Sequence, residues 1–281
     1  MKISVYSPVI NEVDFIGYSI MAVLPYIHEI LYGLATSNDG TTELIRYIKD
    51  KYDKDGKIKL FETNSEIDFD FDPLNMAAYN ASYNYLIERA TGDAVWFLHP
   101  DMIVTNPESI LKVPEGPLAW WTNIKSFARD ASTEIVVGRT SRWKNIQAKD
   151  FGAHYYGGYG SQNEDVYFRD ITGDAYVHHG DKFELYPYEV ADSGIHVNHY
   201  CEVKSYPRRL EKMKRCLRTL LPNADEKTIE EMAVHHPRVT LESSGSRFGK
   251  FEFAPSKDPI PPIFDQYRDE FAPFKKELVH A

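Results

Sequence analysis

A histidine and an aspartate at the end of an apolar run are the first residues of this sequence with a clear chemical use. His99-Pro100-Asp101 follows directly on the apolar residues 94–98. A carboxylate at the tip of a strand can hold a divalent cation; oxygen ligands suit Mg²⁺ or Mn²⁺, and an added imidazole shifts the preference toward Mn²⁺. The same residues can also form a plain turn in which Asp101 caps the next segment. These residues alone leave both interpretations open.

A cluster of basic residues lies further along the chain. Between Lys204 and Arg218 there are seven Lys or Arg residues and one acid, Glu211. Positive charge beside a neutral imidazole, such as that of His199, would hold a diphosphate. An apolar stripe at helical spacing in the same segment also describes an ordinary amphipathic helix, so most of its basic side chains are expected to be solvated.

The elements that must position these residues follow from periodicity. Four short apolar runs indicate strands, at 3–7, 29–35, 58–61 and 94–98. Segments with helical spacing separate them. Such alternation predicts an α/β fold, a mostly parallel twisted sheet flanked by helices, in which ligands bind beyond the carboxyl ends of the strands. The residues at those ends are 8–12, 36–40 and 99–101.

Composition narrows the class of protein. The 281 residues carry a formal net charge of −10, which repels phosphate backbones, so no general nucleic-acid binding is expected. Two cysteines, Cys201 and Cys216, are too few for a disulfide framework and favour a reducing compartment. The N-terminus is too polar for a secretory signal, and no run of about 18 apolar residues occurs. A cytoplasmic protein is therefore expected.

Four segments, in order along the chain, resemble the family 2 glycosyltransferases, enzymes of the GT-A fold that move a sugar from a nucleotide-sugar donor to an acceptor. Residues 4–12, SVYSPVINE, look like the family's opening strand, and residues 37–45, SNDGTTELI, look like its Ser-Thr-Asp-Gly-Thr segment. Residues 90–101, ATGDAVWFLHPD, are similar to the stretch that leads into its Asp-x-Asp motif. Glu164-Asp165, followed by HVNHY at 196–200, resembles its acceptor-side acid pair and C-terminal histidine.

The resemblance implies a metal-assisted reaction that inverts the anomeric configuration. It makes Asp101 and His199 ligands of Mn²⁺ or Mg²⁺, with His99 as a less certain third ligand where the family usually has aspartate. It makes Asp165 the general base that takes the proton of the acceptor hydroxyl, and Glu164 the residue that orients the acceptor. Two acids ahead of a helix also complement the helix dipole in any protein, so that alternative stays open.

The donor nucleotide is expected at the ends of the first two strands. Six residues are predicted to bind the nucleotide sugar: Pro8, Asn11, Glu12, Asp39, Lys204 and Arg208. The family usually has aspartates after the second strand that recognise a uracil base, but residues 34–36 are Leu-Ala-Thr, which leaves the base open. The basic helix can also lie on an anionic membrane, which would place the acceptor at the inner membrane face.

We expect a catalytic domain at 1–205, with a nucleotide-sugar half at about 1–105 and an acceptor half at about 106–205, and a helical extension at 206–281. Residues 166–171 are predicted as a short helix. The predicted activity is transfer of a hexosyl or related sugar to a carbohydrate or other hydroxyl acceptor. Two alternatives remain. One is a non-catalytic carbohydrate- or nucleotide-binding protein, which the histidine at position 99 and the missing acids at 34–36 favour. The other is a nucleotidyltransferase of related fold, which the absence of a glycine-rich phosphate loop near the N-terminus disfavours.

Overall fold

The computed structural model describes residues 1–70, 76–117, 119–128, 130–137, 142–149, 167–169, 175–179, 182–185, 190–221, 223–240, 244–246 and 249–276. Strands and helices alternate at first: β1 (Ile3–Val9), α1 (Ile16–Val23), β2 (Glu29–Leu34), α2 (Thr41–Tyr52), β3 (Ile58–Glu62), α3 (Met76–Arg89) and β4 (Ala94–Phe97). Strands then dominate: β5 (Met102–Val104), β6 (Ala119–Ala128), β7 (Thr133–Val137), β8 (Arg142–Ala148), β9 (Tyr167–Arg169), β10 (Ala175–His179), β11 (Lys182–Leu185) and β12 (Val190–Glu202). The remaining elements are α4 (Tyr206–Leu220), α5 (Glu226–Val234), α6 (Pro237–Thr240), β13 (Ser244–Ser246), β14 (Gly249–Pro255) and α7 (Ile263–Phe271).

Parallel strands form the part of the sheet built from the N-terminal segment. Their order is β3-β2-β1-β4, and Val5 of β1 lies between Ile30 of β2 and Trp96 of β4. Beyond β4 the order continues with β8, β6 and β12, where β8 is antiparallel to both of its neighbours and β12 is parallel to β6. Strands β6 and β12 therefore run in the same direction as β4.

Helices cover both faces of the parallel strands. Strands β1 and β2 are buried almost throughout, as an apolar run without alternation predicts. On one face α1 packs against α7, and the ring centroids of Tyr18 and Phe264 are 4.7 Å apart. On the other face α3 brings Tyr83 within 5.1 Å of Phe97. The predicted α/β fold, a mostly parallel sheet flanked by helices, is confirmed. None of the helices in the described ranges is long and apolar enough to cross a bilayer.

The segment after residue 205 contributes a strand as well as helices. Helices α4, α5 and α6 share an apolar cluster around Leu217 and Ile229. Strand β14 pairs antiparallel with β7, with Phe253 opposite Ile135. Its phenylalanines alternate with polar residues, the period-2 pattern of a strand. The extension is thus helical only in part, and the domain boundary at 205 stays a prediction.

The prediction of a short helix at 166–171 is wrong. Residues 167–169 form strand β9, which pairs antiparallel with β10. Tyr167 and Phe168 are aromatic residues of the kind enriched in strands, and pairing with a neighbouring strand outweighs a weak local helical pattern.

Glu29, at the first position of β2, is a buried carboxylate that joins three segments. It accepts hydrogen bonds from Ser4 Oγ (2.7 Å), Thr91 N (2.5 Å) and Thr91 Oγ1 (2.9 Å), and it pairs with Lys59. Burial alone would raise the pKa of Glu29, but these partners lower it from its ordinary 4.5 to about 2. A pKa lowered by folding stabilises the protein fully above the ordinary value, and this stabilisation is lost as the pH falls toward 2.

We therefore predict that Glu29→Gln lowers the free energy of unfolding by about 2 kcal/mol at pH 7, since buried donors lose their charged acceptor. The difference from the unsubstituted protein should shrink at pH 3, where Glu29 is mostly protonated in the unfolded chain and still mostly ionised in the folded protein. Urea unfolding at the two pH values measures it, with the exposed Glu108→Gln as the control. A difference that is equal at both pH values would contradict the assigned role.

Candidate active site

The loops after β1 and β2 are joined by hydrogen bonds at the carboxyl ends of these strands. The Asn11 N–H donates to Ser37 Oγ (3.1 Å), and the Asn11 side-chain oxygen accepts from Asn38 N (3.1 Å). Asn11 has φ 51°, a left-handed conformation in which asparagine is enriched. The N–H of Glu12 donates to Thr41 Oγ1 (2.8 Å). These bonds place Asn11 and Glu12 side by side above the parallel strands.

Asp39 is fully buried and organises the same loops. Its Oδ1 accepts from the N–H and the hydroxyl of Thr41 (3.0 and 2.6 Å). Its Oδ2 accepts from Val13 N and from Arg208 Nη1, both at 3.2 Å. Arg208 also donates to Asp14 Oδ2 (2.8 Å). Both carboxylate oxygens of Asp39 thus accept hydrogen bonds from protein donors in this structure. The predicted contact of Asp39 with the nucleoside stays a prediction.

The C-terminal segment closes over this loop pair. Gly40 has φ 98°, and a Cβ at this position would lie 1.8 Å from Phe274 O, so the close approach requires glycine. Lys276 N donates to Asp39 O (2.9 Å), and its carbonyl accepts from Arg208 Nη2 (3.2 Å). Arg208, which the sequence predicts to contact the nucleotide sugar, thus links the C-terminal segment to the loops after β1 and β2.

A buried carboxylate stands just beyond β4. Asp101 is 2% exposed, and its carbonyl accepts from Tyr200 N (2.9 Å). Antiparallel pairing of β5 with β12 places His199 opposite Met102. As a result His199 Nε2 lies 3.2 Å from Asp101 Oδ1. Strand pairing therefore brings together the two residues that the sequence predicts as ligands of one cation.

Two lysine ammonium groups meet the other oxygen of Asp101. Lys204 Nζ is 3.3 Å and Lys212 Nζ 3.4 Å from Oδ2. Lys204, whose side chain is 4% exposed, also contacts Glu12 Oε2 at 2.5 Å. Helix α4 begins with Pro207 in its first turn, where the fixed φ of proline suits a helix start. The cluster therefore joins the ends of β1 and β4 to the start of α4.

Lys212 is a residue of this site that sequence reasoning missed. The amphipathic pattern assigns it to a solvated helix face, yet its ammonium contacts a buried carboxylate. A signal was present in the spacing. Arg208 and Lys212 are four residues apart in α4, and helix residues with that spacing share one face, so the prediction of Arg208 as a site residue points to Lys212 as well.

The charges around Asp101 set its ionisation. Burial by itself raises the pKa of Asp101, but Lys212, Lys204 and His199 hold it well below its ordinary range. Burial raises the pKa of Glu12, and Lys204 opposes that rise. Asp101 is therefore a carboxylate at neutral pH, held by two ammonium groups.

His99 lies beside this cluster as a neutral ring. Its ring stacks on that of His199, with centroids 5.7 Å apart and an interplanar angle of 13°. Burial lowers the pKa of His99 to about 3. The structure thus brings His99 to the predicted site, and a role for it as a metal ligand stays a prediction.

The described residues do not fit a divalent ion as they are arranged. Across the described part of the chain, no three His, Cys, Asp or Glu side chains are grouped closely enough to hold a metal. Both Asp101 oxygens have contacts, and two ammonium groups lie at Oδ2. Two unit charges 4 Å apart near a protein surface repel by about 4 kcal/mol, and a dication roughly doubles that repulsion. Binding Mn²⁺ or Mg²⁺ would require the lysines to move.

Asp70 contacts the residues that follow β2, although it lies 34 positions further along the chain than Thr36. Residues 62–72 are rich in acids and are expected to be solvated, and Asp70 is indeed exposed; it also accepts hydrogen bonds from Thr36 N and from Thr36 Oγ1, the latter at 2.7 Å. A carboxylate therefore stands beside residues 34–36, which have none of their own.

The other predicted site residues differ in where they lie. Pro8 is in β1, paired with Gly33 of β2, and borders the same strand ends. Glu164 and Asp165, the predicted catalytic pair, lie outside the described residues. Their roles stay predictions.

No protein-family model matches the chain, and no curated protein matches it. Among solved structures it is similar to TarS 1-349 of S. aureus, with 14% identity and a TM-score of 0.38 over 85% of this chain and 71% of that one. It is also similar to the mannosyltransferase PcManGT from Pyrobaculum calidifontis in complex with GDP-Man and Mn²⁺. There the identity is 10% and the TM-score 0.44, over 85% of this chain and 73% of that one.

A third similar structure is glucosyl-3-phosphoglycerate synthase from Mycobacterium tuberculosis, in complex with Mn²⁺, UDP-Glc and glycerol 3-phosphate. Identity is 22% and the TM-score 0.30, over 46% of this chain and 44% of that one. The chain also spans 44% of the longer S. aureus TarS structure.

Proposed function

We propose that the chain is a glycosyltransferase that moves a hexosyl or related sugar from a nucleoside diphosphate sugar to a hydroxyl acceptor. The observation that carries this proposal is the meeting of Asp101, Glu12, Lys204 and Lys212 beyond the carboxyl ends of β1 and β4. In open α/β sheets ligands bind at this edge. The two ammonium groups of this cluster are suitable partners for the oxygens of a diphosphate.

The chemistry requires positive charge where the donor breaks. The acceptor oxygen forms a bond to the anomeric carbon, the bond from that carbon to the phosphate oxygen breaks, and its electron pair leaves with the nucleoside diphosphate. Cationic groups placed beside that oxygen stabilise the developing charge. Lys204 and Lys212 are such groups, and Asp101 holds both at one point.

The acceptor hydroxyl must lose its proton in the same step. By the sequence resemblance, Asp165 takes that proton and Glu164 orients the acceptor. Attack from the face opposite the leaving group inverts the anomeric configuration. Three further points are proposed from the sequence alone. The acceptor belongs to the carbohydrate class, and the cofactor is Mn²⁺ or Mg²⁺. The protein is cytoplasmic and contacts the inner membrane face through the basic helix α4.

The test is a panel of nucleotide sugars carrying different bases and sugars, incubated with the full chain in the presence and absence of Mn²⁺. We expect one donor to bind and to be hydrolysed slowly without an acceptor. Asp165→Asn should retain donor binding and lower turnover about 10²- to 10⁴-fold, the usual contribution of a general base. The exposed Asp50→Asn is the control. Binding without turnover for every donor would favour a non-catalytic protein, and full turnover by Asp165→Asn would exclude this base.

A further inference from the structure

We propose that the diphosphate of the donor is held by the ammonium groups of Lys204 and Lys212, so that this site binds it without a divalent ion. The inference rests on the proposed function and deepens it. It departs from the metal dependence that the sequence resemblance implies, and it starts from the poor fit of the described residues to a metal.

The first support is the place of the two ammonium groups. Both lie within 3.4 Å of one Asp101 oxygen, at the edge of the sheet where a ligand binds. A divalent ion beside a diphosphate contributes two positive charges, and two ammonium groups contribute the same number, which Asp101 and Glu12 balance in the free protein. Each ammonium also has three N–H donors, which a metal ion lacks, so each can donate to phosphate oxygens while it keeps a carboxylate partner.

The second support is the difference in burial between the lysines. The side chain of Lys204 is 4% exposed and has two carboxylate contacts, Glu12 and Asp101, whereas that of Lys212 is 28% exposed. The distance from Lys212 Nζ to Asp101 is 3.4 Å, against 3.3 Å for Lys204 Nζ and 3.2 Å for His199 Nε2. Lys204 thus lies at the buried end of the site, and Lys212, which is more exposed, is the group that contacts an incoming phosphate.

Arg208, by contrast, donates its hydrogen bonds to other parts of the protein. Its guanidinium donates to Asp14, to Asp39 and to the carbonyl of Lys276. These contacts hold the C-terminal segment in place. Of Arg208 and Lys212, Lys212 is therefore the better phosphate contact.

The test measures binding by calorimetry, with UDP, GDP, ADP, CDP and dTDP as probes of the full chain, once in EDTA and once in excess Mn²⁺. We expect at least one diphosphate to bind with a Kd that agrees within about twofold in the two buffers. In EDTA, Lys212→Met should weaken this binding about 10- to 100-fold, the effect of losing a charge-assisted hydrogen bond. Binding of the parent nucleoside should not change.

Three comparisons separate a phosphate contact from a general structural effect. Lys212→Arg keeps the charge and should recover most of the affinity, and Lys227→Met, at an exposed lysine of α5, should leave it unchanged. Diphosphate binding that disappears in EDTA and returns with Mn²⁺ would overturn the inference and leave the proposed function standing. Failure of every diphosphate to bind in both buffers would overturn the proposed function itself.

Discussion

Replacing Asp101 with asparagine is expected to lower the free energy of unfolding by about 3 kcal/mol and the turnover number by at least about 100-fold. Removing one partner of a buried ion pair usually costs 3–5 kcal/mol, and Glu12 remains as a partner of Lys204, which puts the effect at the lower end. The loss in turnover follows because Asp101 positions both ammonium groups, and a displacement of about 1 Å at such a site costs roughly 10²-fold.

Denaturant unfolding and steady-state kinetics measure the two effects. The diagnostic comparison is between the loss in turnover and the change in the Kd of the diphosphate. As a positioning residue, Asp101 should affect turnover far more than the Kd of the diphosphate, which we expect to change less than about tenfold, because both lysines are still present. Asp50→Asn, an exposed aspartate of α2, should change none of the three quantities. Complete loss of diphosphate binding in folded Asp101→Asn would instead indicate that Asp101 holds a cation.

The second large effect is expected at Asp39. Asp39→Asn should lower the free energy of unfolding by about 3 kcal/mol, because one carboxylate oxygen that accepts from protein donors becomes an amide nitrogen that cannot accept. The Arg208 guanidinium also loses its buried acidic partner. We expect the C-terminal segment to loosen with it, since Lys276 contacts both residues.

Urea unfolding gives the change in stability, and limited proteolysis near residue 276 gives the change in the C-terminal segment. Asp14→Asn is the matched control, because it removes a more exposed partner, 24% against 0%, of the same arginine. It should cost less than about 1 kcal/mol, as partly exposed ion pairs do. Equal losses in the two variants would show that Asp39 does not organise the loops.

Much of the fold follows from local pattern. The apolar runs at β1, β2, β3 and β4, and the helical spacing between them, predict the order and type of these elements, because strand and helix periodicities depend only on neighbouring residues. The parallel arrangement follows from the alternation itself. The segment at 166–171 shows where this reasoning fails: six residues have too little periodicity to outweigh the strand pairing seen at Tyr167–Arg169.

The members of the candidate site could be grouped from the sequence only through the family resemblance, and the contacts between them could not be predicted from it. Residues at strand ends are found from sequence, so Glu12 and Asp101 were named as members of a site. That His199 touches Asp101 depends on the pairing of β5 with β12, a long-range contact that no short motif specifies. Lys212 was missed because a basic residue on an amphipathic helix looks the same whether it faces water or a buried carboxylate.

The local sequence pattern alone was thus enough to predict the α/β arrangement of the N-terminal half and the residue types at the strand ends. Tertiary contacts were needed to learn that Asp39 is enclosed by the C-terminal segment, and that the charge beside Asp101 comes from lysines. The physical reason is that strand and helix formation are short-range, whereas burial and ion pairing join residues far apart in the chain, such as Glu12 and Lys204.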